Sequence, residues 1–170
     1  MKRSLLSILL LGFAVLTLLA GCSGSNPAQE SNAQPQAHPS AADPRAAIEE
    51  IYKNCNIKEV GYATSEEVTD VLGLNTENLL SYCIMYSKGN YGVMDTYIVQ
   101  PKPDKLADVR SQLEARQDTL LRTYEHYDIY ESYEIVQNAL IYEQGDYLIM
   151  LMHKDNEAVR AIIDQYIPSK

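Results

Sequence analysis

Leu80-Ser81-Tyr82-Cys83-Ile84-Met85-Tyr86 is the stretch on which the fold turns. Its large side chains alternate, with Tyr82, Ile84 and Tyr86 on one side, the period of a strand laid against a core. Lys88-Gly89-Asn90 is a turn signal, and Val93 to Val99 reads as the partner strand. Upstream the period is helical. Ala46 to Cys55 puts Ile48, Ile51, Tyr52 and Cys55 on one face. Thr64 with Glu67 has capping-box spacing and opens a short helix through Val68, Val71 and Leu72 that Gly73 ends.

Downstream, Pro101 and Pro103 end the hairpin, and Asp104 is placed to cap a long helix reaching about Tyr127. Its apolar stripe is Leu106, Val109, Leu113, Leu120 and Tyr124. A second hairpin is expected from Ile135 to Tyr142, a turn at Gln144-Gly145-Asp146, and a strand from Tyr147 to Met152. Asp155 then caps a closing helix with Val159, Ile162, Ile163 and Tyr166 inside. The pattern predicts an α+β domain over residues 44–170: two leading helices, then ββα-ββα. A four-stranded antiparallel sheet would carry both long helices on one face. Asp95 to Val99 with Val109-Arg110 weakly echoes Asp146 to Met150 with Val159-Arg160, consistent with a repeated hairpin-plus-helix unit. The Tyr147–Met152 strand is apolar on both sides, so it should be central with its second face covered, by the leading helices or by a partner.

The residues ahead of this domain speak of address. Met1, Lys2 and Arg3 precede an uncharged, leucine-rich run that narrows to Leu19-Ala20-Gly21-Cys22. A basic start, an apolar core and a small-residue exit describe a secretory signal peptide over residues 1–21. The final tetrapeptide resembles the lipobox of bacterial lipoproteins. That resemblance implies cleavage before Cys22, a diacylglyceryl group on its thiol, and an anchor at the extracytoplasmic face of the cell membrane. From Cys22 to Asp43 the chain is serine, asparagine, glutamine, alanine and proline without large apolar groups, the composition of a disordered linker. As a coil it would reach roughly 25 Å.

Composition narrows the function classes. The formal charge is −9, and loss of Lys2 and Arg3 with the leader makes it more negative. Nucleic acid is therefore a poor partner, and the membrane surface would repel rather than hold the domain. The chain has 13 tyrosines, no tryptophan and a single phenylalanine, Phe13, which falls in the leader. Tyrosines of this kind serve half-buried strands as readily as binding surfaces. Cys55 and Cys83 remain outside the leader, and in an oxidising compartment they form a possible disulfide, provided the first helix packs beside the first strand. Both also suit small buried positions.

No catalytic set emerges. Gly-x-Ser-x-Gly is missing, as is any phosphate-cradling glycine loop. His126 with Asp128, or His153 with Asp155, supplies two ligands each, too few for a metal centre. Arg116, beside the buried stripe, is the charged residue best placed to reach the sheet or a cleft, with a helix-to-loop hydrogen bond as its simplest role.

Leu113-Glu114-Ala115-Arg116-Gln117, Val136, Asn138-Ala139 and Gly145-Asp146-Tyr147-Leu148 together resemble, in order and spacing, the domain-of-unknown-function 4358 family of small bacterial lipoproteins. The resemblance runs from about Glu66 to Ile167. It implies a lipobox and polar linker ahead of the domain, and it brings no activity, cofactor or catalytic residue. The expectation is a membrane-anchored, non-enzymatic binding or accessory module of the cell envelope, held through lipid on Cys22 and meeting an envelope protein, with an exposed tyrosine-bearing sheet face. An enzyme using His126 or His153 with nearby carboxylates is the alternative, and solute capture a third reading.

Overall fold

The computed structural model describes residues 41–55, 59–89 and 91–170. The leader, Cys22, most of the linker, and Asn90 of the first turn signal lie outside the described residues. The elements in order are α1 (Pro44–Tyr52), β1 (Val60–Tyr62), α2 (Ser65–Asp70), β2 (Leu79–Ser87), β3 (Asp95–Pro101), α3 (Leu106–His126), α4 (Ser132–Gln137), β4 (Leu140–Gln144), β5 (Tyr147–Met152) and α5 (Asn156–Tyr166). They form an α+β domain on a five-stranded antiparallel sheet of order β1-β2-β3-β5-β4. Among the described residues no helix is long and apolar enough to cross a membrane.

The alternation in β2 divides the molecule. Tyr82, Ile84 and Tyr86 join Tyr97, Val99, Leu148 and Met150 under Val109, Leu113, Leu120 and Tyr124 of α3. Ile98, Ile149 and Leu151 face the other way, onto Ala47 and Ile48 of α1 and Val159 and Ile163 of α5. The second face is therefore covered from within the chain. The sheet is central and buried on both sides, which explains why β5 is apolar at every position.

Three expectations need correction. The sheet has a fifth strand, β1, paired antiparallel with the end of β2; three residues are too few to show a period of two. The two long helices lie on opposite faces rather than on one, so the expected hairpin-plus-helix repeat does not hold. Asp95 is buried in the sheet, whereas its supposed counterpart Asp146 sits on a turn in an ion pair with Lys170. Residues Ile135–Gln137 belong to helix α4, not to a strand. Ile135 and Val136 do face the core, but a helical turn presents two adjacent apolar residues to one side, and β-branching alone misread it.

Two helix boundaries differ from expectation: α1 is Pro44–Tyr52 and stops short of Cys55, and α3 lacks its expected cap. Asp43 accepts from Ala46 N, and Asp155 from Ala158 N. Asp104 does not cap α3; Lys105 occupies that position and no side chain bonds there. The Thr64–Glu67 capping box is complete, with Glu67 Oε2 accepting from Thr64 N at 2.8 Å. Lys88 adds an ion pair at 2.7 Å, and these bonds hold the Glu67 carboxyl down to about 2. Thr64→Ala should cost about 1 kcal/mol in urea unfolding; an unchanged midpoint would mean that the Glu67–Lys88 pair alone fixes this corner.

Candidate functional site

Strand ends β2, β3 and β5, with the start of β4, converge at one pole of the domain. The β2–β3 loop, residues 127–131, α4 and the β5–α5 junction meet there around a cleft in two lobes. One lobe, about 600 Å³, is lined by Tyr91, Gly92, Val93, Met94, Tyr130 and Ile135. The other, about 450 Å³, is lined by Glu131, Glu134, Asn138, Asp155, Asn156 and Glu157. Ile135, His153 and Lys154 border both.

Local chemistry builds these walls. Gly92 has φ +86°, and a Cβ there would meet Ser132 Oγ at 3.0 Å and the Ile129 carbonyl at 3.5 Å, so only glycine lets the loop approach α4 this closely. Ser132 Oγ accepts from Val93 N at 3.1 Å and bonds to the Ile129 carbonyl. Asn156 joins the far wall, accepting from His153 N at 2.9 Å and donating to the Asn138 carbonyl at 2.8 Å. Tyr130 and Glu131 are consecutive non-glycine residues at φ 54° and 64°. Such backbone costs roughly 1–2 kcal/mol per residue and concentrates at functional sites. Glu131 is held across the cleft mouth by Lys154 at 2.5 Å. Tyr91, Tyr127 and Tyr130 are 42%, 73% and 71% exposed, so the solvent-facing tyrosines gather at this pole and not on a sheet face.

Two buried polar clusters underlie the cleft, on opposite sides of β3. On the α1 side, His153 Nε2 and Thr96 Oγ1 are hydrogen-bonded at 2.7 Å, and Tyr52 donates to the Met94 carbonyl at 2.8 Å beside them. Burial pushes the His153 imidazole down to about 4, so it is neutral at physiological pH. On the α3 side, Asp95 Oδ1 accepts from Ser87 N at 2.9 Å. Arg116 reaches this cluster, its Nε 3.4 Å from the Tyr97 hydroxyl and its Nη1 donating to the Val71 carbonyl. Desolvation raises Asp95 to about 6, although the Ser87 amide and Arg116 oppose the shift.

Each sequence candidate now has a place. Arg116 makes the helix-to-loop bond and supports the sheet from beneath. His153 borders the cleft, but its ring is tied to Thr96. Asp155 caps α5, and Asp128 accepts from Tyr133 N. Among the described residues no three acidic, histidine or cysteine side chains are arranged to hold a metal. Cys55 and Cys83 are both free thiols; Cys55 Sγ lies 3.3 Å from Met94 Sδ, while Cys83 sits on β2 facing the α1 layer. The sequence reading missed Asp95 and the Tyr130-Glu131 pair. A lone carboxylate opening a strand was the available signal for the first, and nothing in residue type marks the second.

The architecture defines a class: a small two-faced α+β domain with a strained, tyrosine-rimmed cleft at one end of its sheet. The family model described as a domain of unknown function (DUF4358) matches residues 53–153, and the chain belongs to that family. The match begins ahead of Glu66 and covers β1 to the cleft-bordering His153. No curated protein and no solved structure matches the chain.

Proposed function

We propose that this protein is a lipid-anchored, non-enzymatic binding module of the cell envelope, and that the two-lobed cleft is its binding site. The observation that carries the reading is the position of that cleft relative to the point where the chain enters the domain. Asp43 N bonds to the Tyr166 carbonyl, so α1 starts beside the end of α5. It then runs its nine residues, about 14 Å, to Tyr52, which bonds at the cleft pole. A tether ahead of the described residues would thus join the domain at the pole opposite the cleft and leave the cleft unobstructed. The lining supports binding rather than catalysis: tyrosine, methionine and aliphatic groups dominate one lobe, and the histidine between the lobes is already bonded inward.

The test is photo-crosslinking in cells. A benzoylphenylalanine in place of Tyr130 should capture a discrete envelope partner, and the same group in place of Asp146, at the opposite pole, should not. The yield should fall in a Cys22→Ala background. Equal capture from both poles, or from neither, counts against the cleft as the binding site.

A further inference from the structure

We infer that the cleft takes a protein segment carrying an apolar side chain next to a lysine or arginine, the apolar group entering between Tyr91 and Tyr130 and the cation entering the acidic lobe. This rests on the cleft being the binding site and adds the chemistry of its partner. The two lobes share Ile135, His153 and Lys154, so neighbouring groups of one ligand reach both. The first lobe offers flat aromatic faces and aliphatic edges that gain from excluding water.

In the second lobe four carboxylates stand against the single ammonium of Lys154. Lys154 is already paired with Glu131, and Asp155 is engaged with Ala158 N. Glu134 and Glu157 are exposed and, among the described residues, have no side-chain hydrogen bond or ion pair. Their places in the first turns of α4 and α5 suit the helix dipoles; the field of Lys154, which is already paired with Glu131, reaches Glu134, and neither carboxylate has an ion pair of its own among the described residues. His153 adds no positive charge at neutral pH.

Charge decides between occupants. An anionic ligand would be repelled, and a neutral one filling the apolar lobe would partly desolvate these carboxylates without pairing them. A cationic side chain beside an apolar one satisfies both lobes at once, and a polypeptide supplies that pairing on consecutive or alternate residues. The domain's acidity favours the approach of such a partner from a distance.

Fluorescence polarisation on the full chain in mild detergent tests this. The probe is a fluorescein-labelled heptapeptide of alternating leucine and lysine, compared with leucine–glutamate and serine–lysine counterparts. Leucine–lysine should bind at least tenfold more tightly than either counterpart. Glu134→Lys with Glu157→Lys should weaken it at least tenfold, whereas the charge-matched pair Glu66→Lys with Asp70→Lys on α2 should change it less than twofold. Tyr130→Asn, which tolerates the left-handed backbone, should also weaken it. Equal weakening by both reversals would reduce the effect to diffuse attraction and overturn the inference. Tyr130-dependent binding of the leucine–glutamate peptide would overturn the ligand class while leaving the cleft as the binding site. Binding of no probe would overturn the ligand class alone, since the Tyr130 crosslink reads the site without assuming any ligand.

Discussion

Asp95→Asn should make the domain lose about 3 kcal/mol more stability between pH 7 and 4 than the parent chain does, because the buried Asp95 carboxyl offsets the loss that comes from His153. The reason is that two buried groups oppose each other. His153 titrates near 4 in the folded chain against 6.5 when free. The folded state then binds the proton more weakly, so this contribution is complete above pH 6.5 and is lost as pH falls to 4. Asp95 titrates near 6 against 3.8. Here the folded state holds the proton more tightly, so the contribution is complete below pH 3.8 and is lost as pH rises through 6. Each difference of one pKa unit is worth about 1.36 kcal/mol, which gives each group about 3 kcal/mol with opposite sign.

The groups facing these two leave the cancellation intact. Asp95 meets the Ser87 and Met94 backbone, the Tyr97 hydroxyl and Arg116; His153 meets Thr96, Tyr52 and the Asp95 backbone, which Asp95→Asn leaves in place. Burial raises both tyrosines well above their ordinary range, so neither ionises in this interval. Glu67, lowered from 4.5 to about 2, begins to lose its contribution only at the acid edge of this window, and does so alike in the parent chain and in both variants. Urea unfolding followed by circular dichroism at pH 7, 5.5 and 4 measures the effect. His153→Gln should do the reverse of Asp95→Asn and gain stability on acidification. Parallel pH profiles for the two variants would show that the clusters do not titrate as opposed groups.

The sequence disclosed this architecture unevenly, and the reasons are physical. β2 was legible because its largest side chains alternate onto one face, and the Thr64–Glu67 box because it is a local reciprocal bond. The burial of β5 on both sides was also legible, and the leading helix α1 is one of the covers expected for it; that α5 joins α1 there was not. Apolar residues on α5 show that the helix packs, and only the path of the chain over the sheet decides on which face. The α4 segment misled because Ile135-Val136 fits a strand as well as a single helical turn. The cleft could not be read at all. It is made where three separate parts of the chain meet, and its left-handed Tyr130-Glu131 pair is imposed by tertiary contacts on residues with no preference for that backbone.

That question of face gives the second large effect. Ile163→Ala should destabilise the domain by about 2–5 kcal/mol, the cost of removing a large buried aliphatic and leaving a cavity. Ile163 is fully buried and packs in one cluster with Ile98, Ile149, Leu151, Ala47 and Ile48. Leu113→Ala, on α3 and equally buried against the other face, should cost a similar amount. The sheet separates the two sites and they belong to different clusters, so the costs should add to within about 0.5 kcal/mol in the double variant. If α1 and α5 instead formed a loosely docked layer over a sheet already stabilised by α3, Ile163→Ala would cost under about 1 kcal/mol while Leu113→Ala kept its full effect. Comparable costs would mean that the α1–α5 layer is part of the same cooperative unit as the sheet, so that α1 connects the pole where the chain enters the domain to the cleft pole through a continuous core.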